Sequence, residues 1–84
     1  MWYVYVHLSE TDKKFYTGCT HDLRERLKLH QAGKVESTKR RLPVSLIYYE
    51  ACLDQRDAFK REKYLKTTYG HRYLKNRFRH YFTG

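Results

Sequence analysis

The chain has 84 residues, of which 40% are hydrophobic and 32% are charged. This composition excludes an intrinsically disordered chain, and no apolar run approaches the roughly 20 residues that a helix needs to span a membrane. A chain of this length can build one hydrophobic core, so we expect a single domain over residues 1–84. Lysine and arginine number 18 against nine acidic residues, and the resulting net charge of +9 favours polyanionic partners such as nucleic acid.

The start of the chain predicts a β-hairpin. Residues 2–8 alternate aromatic and β-branched side chains, a pattern typical of a strand. They lack the basic segment and the small-residue cleavage site of a signal peptide, so we expect a cytoplasmic protein. A polar turn over 9–14 leads to a second strand over 15–19. Gly18 in that strand predicts a bulge, or a close approach of the backbone to a ligand.

A first helix is predicted over residues 21–32, with Thr20 as its N-cap and Gly33 as its C-terminal stop. Arg26 and His30 are four residues apart and form one stripe beside the apolar face of this helix. An arginine in that position either binds phosphate with its fork of donors or is an ordinary surface charge. A histidine there is either a proton carrier or a hydrogen-bonded residue at the end of a helix.

The rest of the chain predicts one strand and two helices. A basic connection over 34–43 leads to a third strand over 44–50, and a helix over 54–68 follows, with Gly70 ending it. Residues 71–82 predict a short, strongly basic final helix. The order β-β-α-β-α-α implies an α+β fold, in which a three-stranded antiparallel sheet is flanked by helices.

Glu62 stands out in the second helix because it lies within the apolar stripe of that helix. The stripe follows offsets of three and four, along Ala58, Phe59, Glu62, Leu65 and Tyr69. Glutamate is seldom buried unless it is paired or binds a metal ion. Two interpretations stay open, a metal ligand or an ion pair with Lys66, which lies four residues further on.

Other kinds of site find little support in the sequence. Cys19 and Cys52 form no CxxC pair and the five histidines are scattered, so we expect free thiols and no structural zinc site. No Walker loop, dinucleotide-binding glycine pattern, HExxH or GxSxG motif occurs, which argues against those enzyme classes.

Several short motifs occur in a characteristic order. YVY at residues 3–5 precedes YTG at 16–18, and T-x-D-L-x-x-R-L-x-x-H-x-x-G follows at 20–33. STKRRLPVSLIYYEA at 37–51 and REKYLKTTYGHRYLKNRF at 61–78 complete the pattern. Together they resemble the GIY-YIG nuclease superfamily along almost the whole chain, most of all its small stand-alone bacterial members. The chain departs from the two name-giving motifs at Tyr3, Val4 and Thr17.

The resemblance implies an endonuclease that hydrolyses phosphodiester bonds in DNA with one bound Mg2+ or Mn2+. Glu62 would be the only protein ligand of that ion, and Arg26 would stabilise charge on the scissile phosphate. Tyr5 and Tyr16 would border the attacking water, one of them as the general base, with His30 assisting the proton transfer. Because a free tyrosine has a pKa of roughly 10, we expect nearby cations to lower it.

Two further sets of residues belong to this interpretation. The late asparagine of the family corresponds to Asn76, the only asparagine in the chain. The basic connection and the basic end of the chain supply cations for nucleic-acid phosphates, and the residues expected to bind them are Lys34, Lys39, Arg40, Arg41, Lys66, Arg72, Lys75 and Arg77.

Alternatives to catalysis remain at this stage. The same basic surfaces suit a nucleic-acid-binding module without turnover, and a Glu62–Lys66 pair would suit a protein-interaction role. The sequence leaves open whether the substrate is branched, damaged or single-stranded DNA, as in repair or recombination, or RNA. It also leaves open whether the protein is a monomer or a weak homodimer.

Overall fold

The computed structural model describes all 84 residues. Its three strands are β1 (Trp2–Ser9), β2 (Phe15–Thr20) and β3 (Val44–Cys52). Its four helices are α1 (Leu23–Gln31), α2 (Gln55–Leu65), α3 (Thr68–Arg77) and α4 (Arg79–Thr83). The predicted α+β fold is confirmed, with one short helix more than the sequence indicated. None of the helices has the length and apolar character that crossing a bilayer requires.

The sheet has the order β2-β1-β3, and β1 pairs antiparallel with both neighbours. Because side chains alternate along a strand, the central strand supplies both layers of the protein. Val4 and Val6 pack against α2 and α3, whereas the rings of Tyr5 and His7 pack with His30 of α1. A bulge interrupts the pairing with β3 between Val6 and His7. Helices therefore contact both faces of the sheet.

The hydrophobic core lies between the sheet and the helices α2 and α3. Its buried members come from β1, from both helices and from the residue that joins α3 to α4: Val4, Val6, Ala58, Leu65, Leu74 and Phe78. Trp2, Phe15 and Tyr73 pack around them. The small core is thus concentrated between β1 and the packed pair of helices α2 and α3.

The join between α2 and α3 corrects the prediction that one helix continues to residue 68. The helix ends at Leu65 and Thr67 caps the next one, since its hydroxyl accepts a hydrogen bond from the Gly70 amide at 3.1 Å. Gly70 therefore starts a helix instead of ending one. Tyr69 falls outside the buried stripe and is 68% exposed. The predicted N-cap of α1 is also wrong, because Asp22 takes that place.

Gly70 is required by the tight contact between α2 and α3. A Cβ atom at this position would lie 2.1 Å from the Tyr64 carbonyl oxygen and 2.5 Å from the Leu65 Cα. Gly70→Ala is therefore expected to lower the free energy of unfolding by about 1–3 kcal/mol, the usual cost of overpacking. Thr68→Ala changes an exposed side chain in the same turn and is the matched control. Urea unfolding followed by circular dichroism measures both, and equal stability of the two variants would contradict this account of the contact.

His7 is a fully buried imidazole on the central strand. Its ring lies 4.3 Å from the ring of His30, centroid to centroid, and neither of its nitrogens has a hydrogen-bond partner. Burial, with a smaller effect of His30, lowers the pKa of His7 to about 4. The ring is consequently neutral at neutral pH and acts as a packing group.

Acid is expected to destabilise the wild type more than a His7→Leu variant. The folded-state pKa of His7 is depressed below its ordinary 6.5, so the stability that its neutral form contributes is present above pH 6.5 and is lost as the pH falls towards 4. Between neutral pH and pH 4 this loss in the free energy of unfolding amounts to about 3 kcal/mol. Urea unfolding near neutral pH and near pH 4 measures the difference for both proteins. If the wild type and His7→Leu lose the same amount of stability between the two pH values, the acid sensitivity comes from groups other than His7.

Candidate active site

A cleft of about 470 Å³ opens at the β2 edge of the sheet. Residues of β1, β2, α1, α2 and α3 line it, together with the loop that follows α1. Five of the six residues expected to carry catalysis lie in this one cleft: Tyr5, Tyr16, Arg26, His30 and Glu62. They come from four different elements, so only the tertiary fold brings them together.

Tyr5 reaches the cleft because the facing residue has no side chain. Gly18 pairs with Tyr5 across the two strands, and a Cβ atom on Gly18 would lie 2.3 Å from the Tyr5 hydroxyl oxygen. The close approach predicted at Gly18 is therefore made by a tyrosine of the protein itself, and the bulge of the sheet lies elsewhere. The Tyr5 hydroxyl lies 3.0 Å from His30 Nε2.

His30 is held at both ring nitrogens. Its Nδ1 lies 2.6 Å from the hydroxyl oxygen of Thr38, which is fully buried in the loop after α1. Burial lowers the pKa of His30, and the charge of Arg26 lowers it further. The imidazole is thus a neutral group between two hydroxyls. A proton on Nδ1 can be donated to Thr38, which leaves Nε2 as an acceptor for Tyr5.

Tyr16 belongs to a second hydrogen-bonded group at the other side of the cleft. Its hydroxyl donates to the Asp12 carboxylate and accepts a hydrogen bond from Arg41 Nε at 3.0 Å. Arg41 also forms an ion pair with Asp12, at 3.2 Å between Nε and Oδ2. Both polar partners of Tyr16 therefore come from loops that flank the sheet.

Both tyrosines have a raised pKa, which corrects the expectation that neighbouring cations lower it. For Tyr5 the largest cause is burial, and the opposing effect of Arg26 is smaller. For Tyr16 the largest cause is its hydrogen bond to Asp12, because a phenol that donates to a carboxylate resists ionisation. Neither residue is a phenolate near neutral pH.

Glu62 lies in the cleft and also forms the ion pair that the alternative interpretation required. Its Oε2 is 3.1 Å from Lys66 Nζ, and its side chain is 22% exposed. Arg26 is half-buried in the same cleft and forms no salt bridge with any carboxylate of the protein. The cleft thus contains one carboxylate beside a paired lysine and an unpaired arginine.

The donor set decides which metal ions the cleft suits. Glu62 is its only carboxylate, and the chain has no group of three histidine, cysteine, aspartate or glutamate side chains arranged around one point. Mg2+ is commonly bound by one or two carboxylates while water and substrate phosphates complete its octahedron. The residues therefore fit a hard divalent ion that is shared with a bound phosphate.

Asn76 does not lie in this cleft. It lies on α3 and lines a separate groove with Tyr64, Tyr69, Arg72 and Tyr73. Among the basic residues expected to bind nucleic acid, only Lys66 lines the cleft, and Arg41 reaches its Tyr16. Lys39 pairs with Glu36 at 2.9 Å. The other five are exposed outside the cleft: Lys34, Arg40, Arg72, Lys75 and Arg77.

Sequence reasoning missed three residues that contact the site: Asp12, Thr38 and Cys19. Asp12 lies four residues before Tyr16 in a polar turn, and a search for carboxylates near the tyrosine motif would have found it. Thr38 lies in a connection without periodicity, and nothing in the sequence joins it to His30. Cys19 follows Gly18 on β2, where strand alternation alone does not distinguish a cleft residue from a packed one.

Comparison with known proteins gives one family. The sequence profile of the GIY-YIG catalytic domain matches residues 1–77. Curated relatives include UPF0213 proteins of Streptococcus pyogenes from the strains Manfredo and MGAS9429, each 53% identical over 57 residues. The match covers 67% of this chain and 60% of the length of each relative. No solved structure matches the chain. Since the profile covers nearly the whole chain, this protein belongs to the GIY-YIG family, a family of the nuclease type.

Proposed function

We propose that this protein is an endonuclease that hydrolyses phosphodiester bonds in DNA with the help of one divalent ion, Mg2+ or Mn2+. The observation that carries the proposal is the single cleft that gathers Tyr5, Tyr16, Arg26, His30 and Glu62. Water attacks the phosphorus in line with the departing 3′ oxygen. The P–O3′ bond breaks, the new P–O bond forms, and solvent returns a proton to the 3′ oxygen.

Tyr5 is the better placed of the two tyrosines to receive the proton of the attacking water. Its hydroxyl does not donate to a carboxylate as that of Tyr16 does, and the acceptor His30 Nε2 lies 3.0 Å away. The Arg26 guanidinium lies beside the same oxygen. As the Tyr5 oxygen accepts a proton from water, its own proton passes to the neutral His30. Tyr5 thus acts as a relay, and its raised pKa does not prevent the step.

Tyr16 is less suited to that role because both sides of its hydroxyl are engaged. It donates to Asp12, and one lone pair of its oxygen is taken by Arg41. The low pKa of Asp12, for which the Tyr16 hydrogen bond is the main cause, makes this carboxylate a weak base. We assign Tyr16 to holding the attacking water, which can donate to the remaining lone pair of its oxygen.

The cations of the cleft act on the phosphate. Arg26 forms no salt bridge, so its guanidinium is free to bind the phosphate oxygens that gain charge in the transition state. Glu62 would hold the divalent ion, which when bound would supply Lewis-acid stabilisation of the scissile phosphate. Lys66 has to leave Glu62 for that purpose, and the phosphate offers its ammonium a new partner.

A second candidate function is nucleic-acid binding without cleavage by the same fold. The Glu62–Lys66 ion pair at 3.1 Å favours it, because a carboxylate satisfied by a lysine has less need of a metal ion. The two candidates differ in whether Glu62 binds metal and whether DNA is cut.

Glu62→Gln is expected to reduce cleavage of DNA in Mg2+ by at least about 100-fold, because the amide loses the charge that holds the ion. Glu25→Gln makes the same chemical change at an exposed position of α1 and is the matched control. Line broadening of backbone amides by Mn2+ gives a readout independent of activity. It should centre on residue 62 in the wild type and in Glu25→Gln, and be absent there in Glu62→Gln. Intact DNA with every protein, and no broadening at Glu62, would favour the binding module.

Thr38→Val is expected to lower kcat by about 10-fold or more, with KM unchanged, because His30 loses the partner that fixes its tautomer. Thr38→Ser keeps the hydroxyl and is the matched control. In the wild type the rate should fall as the pH drops below 6.5, through the lowered pKa of His30, since a protonated imidazole cannot accept the Tyr5 proton. A kcat and a pH–rate profile that are the same in all three proteins would show that Thr38 does not position His30 for the proposed relay.

A further inference from the structure

Helix α3 presents two adjoining faces outside the cleft. Residues three, four and seven positions apart share a face of a helix. One face carries Thr68, His71, Arg72 and Lys75, and the other carries Tyr69, Arg72, Tyr73 and Asn76. We call them the basic face and the aromatic groove. Arg72 belongs to both, so the two surfaces are continuous.

The basic face continues directly from the cleft. His71 lines the cleft and also the shallow depression of the basic face. No carboxylate lines that depression, and neither Arg72 nor Lys75 forms a salt bridge. Lys39, Arg41 and Lys66, by contrast, are each paired with an acid. The cations of α3 are therefore available to an anion that extends out of the cleft.

The aromatic groove has a volume of about 500 Å³ and combines tyrosine rings with guanidinium groups. Tyr69 is 68% exposed, and the Arg72 guanidinium carbon lies 5.6 Å from its ring centre. On the other side Arg61 lies 5.4 Å from the ring of Tyr64 and 4.7 Å from that of Tyr73. These contacts hold the rings in place while leaving part of their surface to solvent, which is the arrangement on which nucleic-acid bases stack.

We propose that α3 binds an unpaired stretch of the nucleic-acid strand that leaves the cleft, with its phosphates on the basic face and a base stacked in the aromatic groove. The cleavage of that strand rests on the proposed function, whereas its binding does not. The protein would accordingly prefer substrates that have single-stranded nucleotides beside the scissile phosphate. Asn76 is then placed to hydrogen-bond the edge of the stacked base.

The groove favours an unpaired base over an intact duplex. In a duplex both faces of each base are covered by neighbouring base pairs, so the helix offers phosphates to the basic face and nothing to the rings. A protein segment is the other conceivable occupant. The lack of a carboxylate in the basic face, its continuity with the cleft and the net charge of +9 favour a polyanion instead.

The test compares the affinity of the full chain for two DNA probes without divalent ions, so that no cleavage intervenes. One is a fluorescein-labelled single strand. The other is an equally labelled blunt hairpin that is closed by a non-nucleotide linker and has the same number of phosphates, and fluorescence anisotropy gives both Kd values. Tyr69→Ala should weaken binding of the single strand by at least about fivefold and leave the hairpin unchanged. Tyr69→Phe keeps the ring and should bind like the wild type. Tyr81→Ala removes another exposed tyrosine, on α4, and should have no effect.

Two further readouts locate the contact. Arg72→Ala should weaken both probes and reduce the slope of log Kd against log salt by about one ion, as expected for one lost phosphate contact. Photocrosslinking of a single strand containing 5-iodouracil should attach it to Tyr69 or Tyr64. Because Tyr69 is exposed, circular dichroism of Tyr69→Ala should match that of the wild type.

The outcomes separate this inference from the proposed function. Selective loss of single-strand binding in Tyr69→Ala supports the inference even if no DNA is ever cut. Equal weakening of both probes, or no change in either, overturns it even if the wild type cuts DNA. The inference is also overturned if Tyr69→Ala keeps its affinity for the single strand but loses binding to a partner protein. That result would assign the groove to the partner protein.

Discussion

The hydroxyl of Tyr5 and the imidazole of His30 meet 3.0 Å apart in the interior, and this hydrogen bond joins the central strand to α1. Thr38 binds the other side of the imidazole and so ties the following loop to the same point. Leaving a buried donor or acceptor without a partner costs about 1–3 kcal/mol, so each of the three residues constrains the other two. Gly18 leaves the space in which the ring of Tyr5 lies. One wall of the cleft, including the position of Arg26 one turn before His30, depends on this arrangement.

The sequence predicted the strands better than the helix boundaries, for a physical reason. Enrichment in aromatic and β-branched residues is a local signal of strands, and residues 2–8, where the two kinds alternate, and 44–50 carry it. The break after α2 depends on Thr67 as a cap and on the close contact of Gly70 with the Tyr64 carbonyl. A glycine that is needed for a close approach looks the same in a sequence as one that ends a helix. The apolar periodicity through residue 69 therefore suggested one helix where there are two.

For the candidate site, too, the motifs predict some of the residues and miss others. The order of the motifs predicted that Tyr5, Tyr16, Arg26, His30 and Glu62 belong together, and the fold brings them into one cleft. Thr38 and Asp12 lie in loops without periodicity, so their contacts follow only from the three-dimensional structure. The direction of the tyrosine pKa shifts was wrong for the same reason, since counting nearby cations ignores burial and a hydrogen-bonded carboxylate. Asn76 was predicted in the catalytic set because it is the only asparagine and so corresponds to the late asparagine of the family, whereas the structure places it in a separate groove on α3.

The distribution of paired and unpaired charges links these features. Five lysines or arginines form ion pairs with acids, and three of those pairs involve Asp54, Glu50 and Glu36, which lie away from the cleft. Arg26 in the cleft and Arg72 and Lys75 beside it are among the cations that stay unpaired, and they mark one path from the cleft onto α3. On that path Glu62 is the only carboxylate, and it forms an ion pair with Lys66. In the proposed reaction an arriving phosphate competes for Lys66, and the same event frees Glu62 for a cation that the phosphate helps to bind. Substrate and metal would then bind cooperatively, because each removes a partner that the other must displace.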